Sequence, residues 1–588
     1  MTTSVQPAPS PGRHQGIPPS QGRRAAALRL PAVLWTAEIL TAAAAALFMT
    51  GLAWTVHLNP MSRIGQVSGL AALQLRLLLV LGVVVLVLVP AMRRWAELPV
   101  RFAAAAVAGL SSGVLAAGVS LALRDTNWPL YAQQGDSGSL QAWVGALLDG
   151  KSLDGAYPPL FPHIVAFITE YVTHGQVGYA LKIADLVFVA LLGPLAYLSW
   201  RLLLPPLWAL GIGVTAALPM AQPYKPYTTF VLVAFLPLVA KLMQLLQRAP
   251  ELSRRTAAVR GAVLGLGIGL LFLLYSGWFV WSAAGVVVLT AVLLLRARRT
   301  GGTPGLLNAL SAIGAAGAVF LLVAGTYLVR LLGSAGSTVD RYCYFDTYTE
   351  PTYFAMWRDD LPGTDGQSTW PVPGEIGGVG LFTILLLVGL GVALALGIGR
   401  ATVLTAAACT ASALLMRYWY ASHMERDQAV MLYPRTSAQL LYCLLVLVGL
   451  ACYLIVRRRQ SAPAASSAAG PAEEAGRRLP LRLNPRGVAI GAVCSLGLLF
   501  GMAGSATASK YMPDPHWGPG ALAWIAQSTA DTEGHCSRYA PNGECKQPRD
   551  ISDLLVPVPD TGKLMCPKVN PYPPRQPDPM GPKDNGLN

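Results

Sequence analysis

Long apolar runs, separated by short polar breaks that carry arginine, dominate this chain. The runs fall at 32–54, 73–92, 102–123, 178–200, 207–221, 228–247, 261–275, 279–295, 305–330, 376–399, 401–417, 436–456 and 487–506. A helix needs roughly 20 apolar residues to cross a hydrocarbon core of about 30 Å. Backbone groups left unpaired in lipid are too costly for any open form, so these runs must be helical. The pattern therefore predicts an all-α integral membrane bundle. No short apolar core with a processing site is visible around the first run (Pro31 to Val56), so no cleavable signal peptide is expected. Residues 1–30 and 460–480 are low-complexity Pro/Ala/Ser/Gly sequence and are expected to be disordered.

The basic residues orient the bundle. They cluster at Arg13/Arg23/Arg24/Arg29, Arg93/Arg94/Arg101, Lys241 to Arg260, Arg296/Arg298/Arg299, Arg400 and Arg457 to Arg486. Placing all of these in the cytoplasm requires an even number of crossings between successive clusters. The count works only if Pro158 to Val172 does not cross. That segment carries Pro158, Pro159, Pro162, His163 and Glu170, and it reads as an interfacial helix on the outer surface. Thirteen transmembrane helices follow, with the N-terminus inside, the C-terminus outside, and a multi-pass location in the cell (plasma) membrane. The domain reading is a basic cytoplasmic tail at 1–30, a transmembrane domain at 31–506 with outer loops 124–177 and 331–375, and a short extracytoplasmic segment at 507–588. Spans 261–275 and 279–295 are short and meet at Tyr275-Ser276-Gly277-Trp278; they read either as two ordinary short helices or as a pair that stops below the outer surface and leaves a groove for a lipid tail.

Composition agrees. The chain is 53% hydrophobic and 12% charged, against roughly 25% charged in soluble domains. The formal charge of +15 comes mostly from arginines flanking the spans, and with no compact basic domain it does not point to nucleic acid. Cys409, Cys443, Cys452 and Cys494 lie in spans as small apolar fillers. Cys343, Cys536, Cys545 and Cys566 lie outside, where disulfides Cys536–Cys545 and Cys343–Cys566 are expected.

The chemistry gathers in the outer loops. Between Arg124 and His163 the chain carries Asp125, Asp136, Asp149 and Asp154, the aromatics Trp128, Tyr131 and Trp143, and then Tyr157-Pro158-Pro159. Carboxylates and aromatics at the mouth of a membrane bundle suit a polar substrate meeting a lipid-embedded one. Moving a sugar from a polyprenyl-phosphate donor to an acceptor hydroxyl needs a carboxylate base, cationic groups for the phosphate and aromatics for the sugars. Asp136 is the first candidate base. Asp125 follows its span more closely and is the second, while Asp136 could instead cap a helix beginning at Ser137. Asp149 and Asp154 read as surface residues. Lys225, in a tight outer turn flanked by tyrosines, is a candidate phosphate holder, with snorkelling to headgroups as the alternative. Arg435 suits bidentate phosphate binding. His423 precedes it, with Glu425, Arg426 and Asp427, which read equally as a solvated loop. In the middle loop Arg341, Tyr344, Asp346 and Tyr348, with Tyr433, Trp143 and Tyr157 elsewhere, are candidate sugar contacts. Lys182 and Asp185 are read as an i,i+3 pair. No cofactor is expected; a divalent cation shared by outer carboxylates stays open, since the spacing selects no ligand set.

Three stretches carry a resemblance. They are Gly135-Asp136 through Tyr157-Pro158-Pro159, Tyr344-Phe345-Asp346-Thr347-Tyr348, and Leu432-Tyr433-Pro434-Arg435-Thr436 through Tyr442-Cys443. The chain resembles the C-type (GT-C) membrane glycosyltransferases over most of its length. In these loops it resembles the galactan 5-O-arabinofuranosyltransferase family of mycobacteria and corynebacteria, which primes the arabinan of cell-wall arabinogalactan. The resemblance implies a decaprenyl-phosphoryl arabinofuranose donor, a galactan acceptor outside the membrane and inversion at the anomeric carbon. It implies that Asp136 matches the catalytic acid of the outer loop. The Pro-rich tail is shorter than the carbohydrate-binding domain of such enzymes, and the outer cysteines depart from the pattern. Rival readings are a transferase of another polyprenyl-phosphate sugar such as mannose, a lipid-linked sugar transporter, and a non-catalytic factor that binds lipid-linked glycan.

Overall fold

The structure, a computed structural model, describes residues 21–95, 98–133, 135–153, 155–334, 379–427, 436–460, 484–509, 513, 519–530 and 534–546. Among these the chain is almost entirely helical, and an isolated bridge pairs Thr529 with Lys546. The helices are α1 Gln21–Gly51, α2 Arg63–Trp95, α3 Leu98–Ala122, α4 Gly135–Leu148, α5 Leu160–Tyr171 and α6 Val177–Arg201. Then come α7 Pro206–Ala209, α8 Thr215–Ala217, α9 Pro226–Arg248, α10 Arg254–Leu274 and α11 Gly277–Ser334. The chain finishes with α12 Leu381–Gly397, α13 Ala401–Ser422, α14 Met424–Asp427, α15 Thr436–Gln460, α16 Pro485–Ser509 and α17 Pro519–Ser528. Ten helices among the described residues are long and apolar enough to cross a membrane, and Pro206–Met220 and Leu381–Gly397 are shorter apolar helices.

Two boundaries differ from the sequence reading. Helix α1 starts at Gln21 and so takes in residues 21–30, for which composition alone predicts disorder. That stretch is rich in Ala, Leu and Arg, all strong helix formers. The run at 207–221 is not one regular helix. It passes from α7 through a π-turn at Leu210–Val214 into α8 and a last 3-10 turn. Gly213 lies so close to Trp200 that a Cβ there would come within 2.7 Å of the indole, which is where the regular winding gives way.

Helix α11 holds two of the predicted spans. At Gly302 the backbone takes φ 62° and ψ −155°, a conformation open essentially to glycine alone. A Cβ on Gly305 would approach the Ala297 carbonyl within 2.8 Å. Eight residues of straight helix would hold them about 12 Å apart, so the chain doubles back into a hairpin. Its second arm packs on α10, where Gly261, Gly265 and Gly269 meet Ala312, Ala316 and Val323. Small residues at four-residue spacing let helix backbones approach closely in lipid.

Helix α5 is short. Its 12 residues span about 18 Å, too short for the hydrocarbon core. Phe161, Pro162, Val165 and Thr169 are buried, while His163, Phe167 and Tyr171 are exposed.

Contacts sort the helix ends into two groups. At one end Gln247 of α9 donates to the Gly399 carbonyl at 2.8 Å, and Arg458 of α15 to the Leu396 carbonyl at 2.7 Å. Lys241 donates to the Leu202 carbonyl at 2.8 Å, and Asn308 to the Leu252 carbonyl at 2.8 Å. This end gathers Arg201, Lys241, Arg248, Arg400, Arg457 and Arg458. Here too α1, α3 and α6 are joined by one buried glutamate. Glu38 is fully buried, pairs with Arg101 and with Arg201 (2.9 Å), and accepts the Tyr197 hydroxyl at 2.5 Å. Both guanidinium groups lie 5.5 Å from the centre of the Trp35 ring. The candidate chemistry lies at the opposite end.

A disulfide joins Cys536 and Cys545, as expected. The Cys343–Cys566 pairing lies outside the described residues.

Candidate active site at the Asp136 end of the bundle

The loop after α3 is folded by local polar contacts. Asp125, Tyr131 and Ala132 take left-handed backbone conformations (φ 58°, 68° and 47°) that turn the chain back over the bundle. Ser137 donates to the Leu130 carbonyl at 2.7 Å and Gln141 to the Ala132 carbonyl at 2.5 Å, tying the loop to the start of α4. Trp128 lies over Gly178 at the start of α6, where a Cβ would come within 2.8 Å of its ring.

Helix α4 begins at Gly135, so Asp136 stands in its first turn and does not cap a helix starting at Ser137. The position still favours a carboxylate, because the exposed N–H groups of a first turn carry partial positive charge. The Asp136 side chain turns instead to Lys225, with Oδ2 3.1 Å from Nζ. Lys225 precedes Pro226, the first residue of α9, and a proline at that position starts a helix with no loss of an internal hydrogen bond. The Asp136 side chain is 49% exposed and that of Lys225 14%. The carboxylate is thus open to a ligand, while the ammonium is held against protein. Tyr224 beside it meets Tyr131 edge to face at 5.4 Å.

Beneath this pair lies an aromatic floor. Trp143 of α4 packs on Tyr157 with ring centres 3.9 Å apart. The Tyr157 hydroxyl is hydrogen-bonded to that of Tyr227, which is fully buried and stacked on Phe161 at 4.3 Å. Asp136 lies within electrostatic reach of the Tyr227 hydroxyl. The floor continues through Tyr275 (6.3 Å from Tyr227) to Trp278 (5.3 Å further), whose indole N–H donates to the Thr228 carbonyl at 2.7 Å. The Tyr327 hydroxyl of α11 donates to the Ala156 carbonyl and is hydrogen-bonded to Ser276, both at 3.1 Å. The α10–α11 turn is therefore buried beneath the Ala156–Tyr157 loop. Of the two readings of Tyr275-Ser276-Gly277-Trp278, the open groove is the one this packing disfavours, since Tyr327 bridges Ser276 to the Ala156 carbonyl.

The structure thus brings together Asp136, Lys225, Trp143 and Tyr157 of the sequence candidates. Asp125 is exposed and lies elsewhere in the loop, within electrostatic reach of Lys182. Lys182 donates to the carbonyls of Leu123 (2.8 Å) and Thr126 (2.5 Å), on either side of Asp125. The Lys182–Asp185 pair is therefore not formed. The lysine reaches back to carbonyls that α3 leaves unpaired at its end, and both Asp185 oxygens are buried without a hydrogen-bond partner. His423 stacks on Trp419 at 4.4 Å, with Nδ1 2.7 Å from the Trp419 carbonyl and 2.9 Å from Ser422, partners within its own helix turn. Arg341, Tyr344, Asp346, Tyr348, Tyr433 and Arg435 lie outside the described residues, as does Asp154.

Sequence reasoning missed the buried partners. In the sequence Tyr227 stands out only as a flank of the lysine turn. Arg417 of α13 was not singled out, although an arginine in an apolar helix is itself a signal. It is buried and donates to Thr436 (3.2 Å) and Ser437 (3.0 Å), next to the segment that carries Arg435. No group of three or more metal-ligating side chains is found among the described residues. Neither a protein-family model nor a curated protein matches the chain.

Proposed function

We propose that the chain is a polyprenyl-phosphate-dependent glycosyltransferase. It transfers an arabinofuranosyl residue from decaprenyl-phosphoryl arabinose to a galactan acceptor, on the outer face of the cell membrane. The observation that carries the reading is the Asp136–Lys225 pair, 3.1 Å apart at the arginine-poor end of the bundle and set on an aromatic floor. A hydroxyl that displaces Lys225 from Asp136 gives its proton to the carboxylate. The new bond forms between that oxygen and the anomeric carbon, while the bond from the anomeric carbon to the phosphate oxygen breaks. The electron pair leaves on the phosphate, where Lys225 meets the growing charge. Attack from the face opposite the leaving group inverts the anomeric centre. Trp143 and Tyr157 offer faces and a hydroxyl for sugar rings.

The topology proposed with this is thirteen crossings. It takes the α11 hairpin as two and counts Pro206–Met220 and α12 as one each, with the arginine-rich end in the cytoplasm. That orientation follows the positive-inside bias. The sugar and acceptor come from the sequence resemblance, and another polyprenyl-phosphate sugar such as mannose fits the same pair. One observation favours a transporter instead. Asp185 is a buried carboxylate lying eight residues into α6, about 12 Å below the helix end, and transport pathways use such groups.

The test compares wild type with Asp136→Asn in membranes given radiolabelled polyprenyl-phosphoryl arabinose and a short galactan acceptor. Transfer by wild type and none by a normally folded variant supports the transferase and the base. Equal transfer by the variant removes Asp136 from the chemistry, and no transfer by either reopens the sugar and the transporter.

A further inference from the structure

At the end of the bundle away from Asp136 a recess of about 710 Å³ opens beside the last turns of α6 and α15. Leu202, Leu203 and Leu204 line one side, and Trp208 and Tyr453, ring centres 5.2 Å apart and edge to face, line another. Among the described residues its charged lining consists of Arg201 and Arg457. Behind Arg201 the buried Glu38 is shared with Arg101, so two arginines and one glutamate leave that trio positively charged. The Arg457 guanidinium donates to the Tyr453 hydroxyl at 3.1 Å, which fixes it at the rim. Arg201 is held by Glu38 and by the Leu204 carbonyl at 2.9 Å. Two fixed guanidinium groups suit a phosphate oxyanion. The aromatic pair and the leucine wall suit the glycerol backbone and first methylenes that a lipid carries and a free phosphate lacks. Trp and Tyr concentrate at this depth of a bilayer, and basic recesses between membrane helices take anionic headgroups.

We infer that this recess binds the phosphodiester headgroup of an anionic glycerophospholipid in the leaflet at the arginine-rich end. The site stands apart from the chemistry at Asp136 and does not depend on it. A phosphodiester lodged there offsets the positive charge left by the Glu38 trio and bridges α6 to α15.

The experiment uses the full chain in a neutral detergent, titrated with phosphatidylglycerol and followed by native mass spectrometry. Phosphatidylcholine and inorganic phosphate are the comparison ligands. Arg457 is exposed at the end of α15, so Arg457→Gln leaves the fold intact, which a melting curve checks. Wild type is expected to hold one phosphatidylglycerol, and Arg457→Gln to bind it about fivefold more weakly. Trp208→Leu is expected to weaken it as well, while Arg459→Gln and Arg298→Gln, on the same end but outside the recess, leave it unchanged. Equal weakening in all the arginine variants would mean diffuse attraction and would overturn the site. Displacement of the lipid by millimolar inorganic phosphate would overturn the lipid in favour of a soluble phosphate ligand.

Discussion

At the scale of single residues, the candidate site rests on one contact between positions 89 residues apart, Asp136 and Lys225. The sequence made each of them visible separately. Asp136 is an acid just past a membrane exit and upstream of Tyr-Pro-Pro, and Lys225 is a lysine in an otherwise arginine-poor outer connection. Nothing local could pair them, because their meeting depends on how α4 lies against the start of α9. The Lys182–Asp185 expectation failed for the converse reason. The spacing is right, but the end of α3 offers the lysine closer acceptors. If Asp136 is the base, Asp136→Asn should lower transfer on the order of 10²–10⁴-fold, with Asp125→Asn nearly unaffected, in the membrane assay above. Loss of transfer in Asp125→Asn with activity kept in Asp136→Asn would exchange their roles. Lys225→Gln should lower kcat for transfer on the order of a hundredfold, as removal of a transition-state donor does. A variant in which KM for the donor alone rises would place Lys225 in ground-state binding instead. Tyr227→Phe removes only the hydroxyl that Tyr157 engages, and should cost about 1 kcal/mol in thermal stability.

At the scale of elements, most of the helices could be read from hydropathy, because the bilayer fixes both their length and their form. The Gly302 reversal was legible too, through Gly301-Gly302-Thr303-Pro304 between two apolar runs and next to an arginine cluster. The broken course of Pro206–Met220 was not, since a single π-turn leaves no period in the sequence. The stripe Gly261, Gly265 and Gly269 explains how α10 and α11 come together. A Cβ at Gly265 would meet the Ala316 carbonyl, a backbone atom that cannot swing aside. Gly265→Val should therefore destabilise the protein by about 1–3 kcal/mol, seen as a lower melting temperature in detergent, whereas Gly314→Ala, with open space around it, should leave it unchanged. Equal melting of both variants would mean that the α10–α11 contact is not close.

At the scale of the whole molecule, the ends of the bundle differ in kind. One presents a carboxylate and aromatics, the other arginines tied to carbonyls and to Glu38. Charge counting along the sequence anticipated that asymmetry but not the glutamate inside it, because a single acid in the first apolar run looks like a tolerated exception. Glu38→Ala would leave the half-buried Arg101 and Arg201 without their anion. The expected loss is about 3–5 kcal/mol, measured as melting temperature or as the yield of folded protein; an unchanged yield would mean that water reaches the cluster. The same glutamate bears on how the protein is made. Helix α1 leaves the ribosome before α3, so the arginine that neutralises its glutamate is synthesised 63 residues later. Until then an acidic side chain in a membrane segment carries a penalty of up to about 3 kcal/mol. Helix α1 is therefore expected to stay at the insertion machinery until α3 arrives. A nascent chain halted before Arg101 should crosslink from α1 to that machinery, and one halted well after it should not.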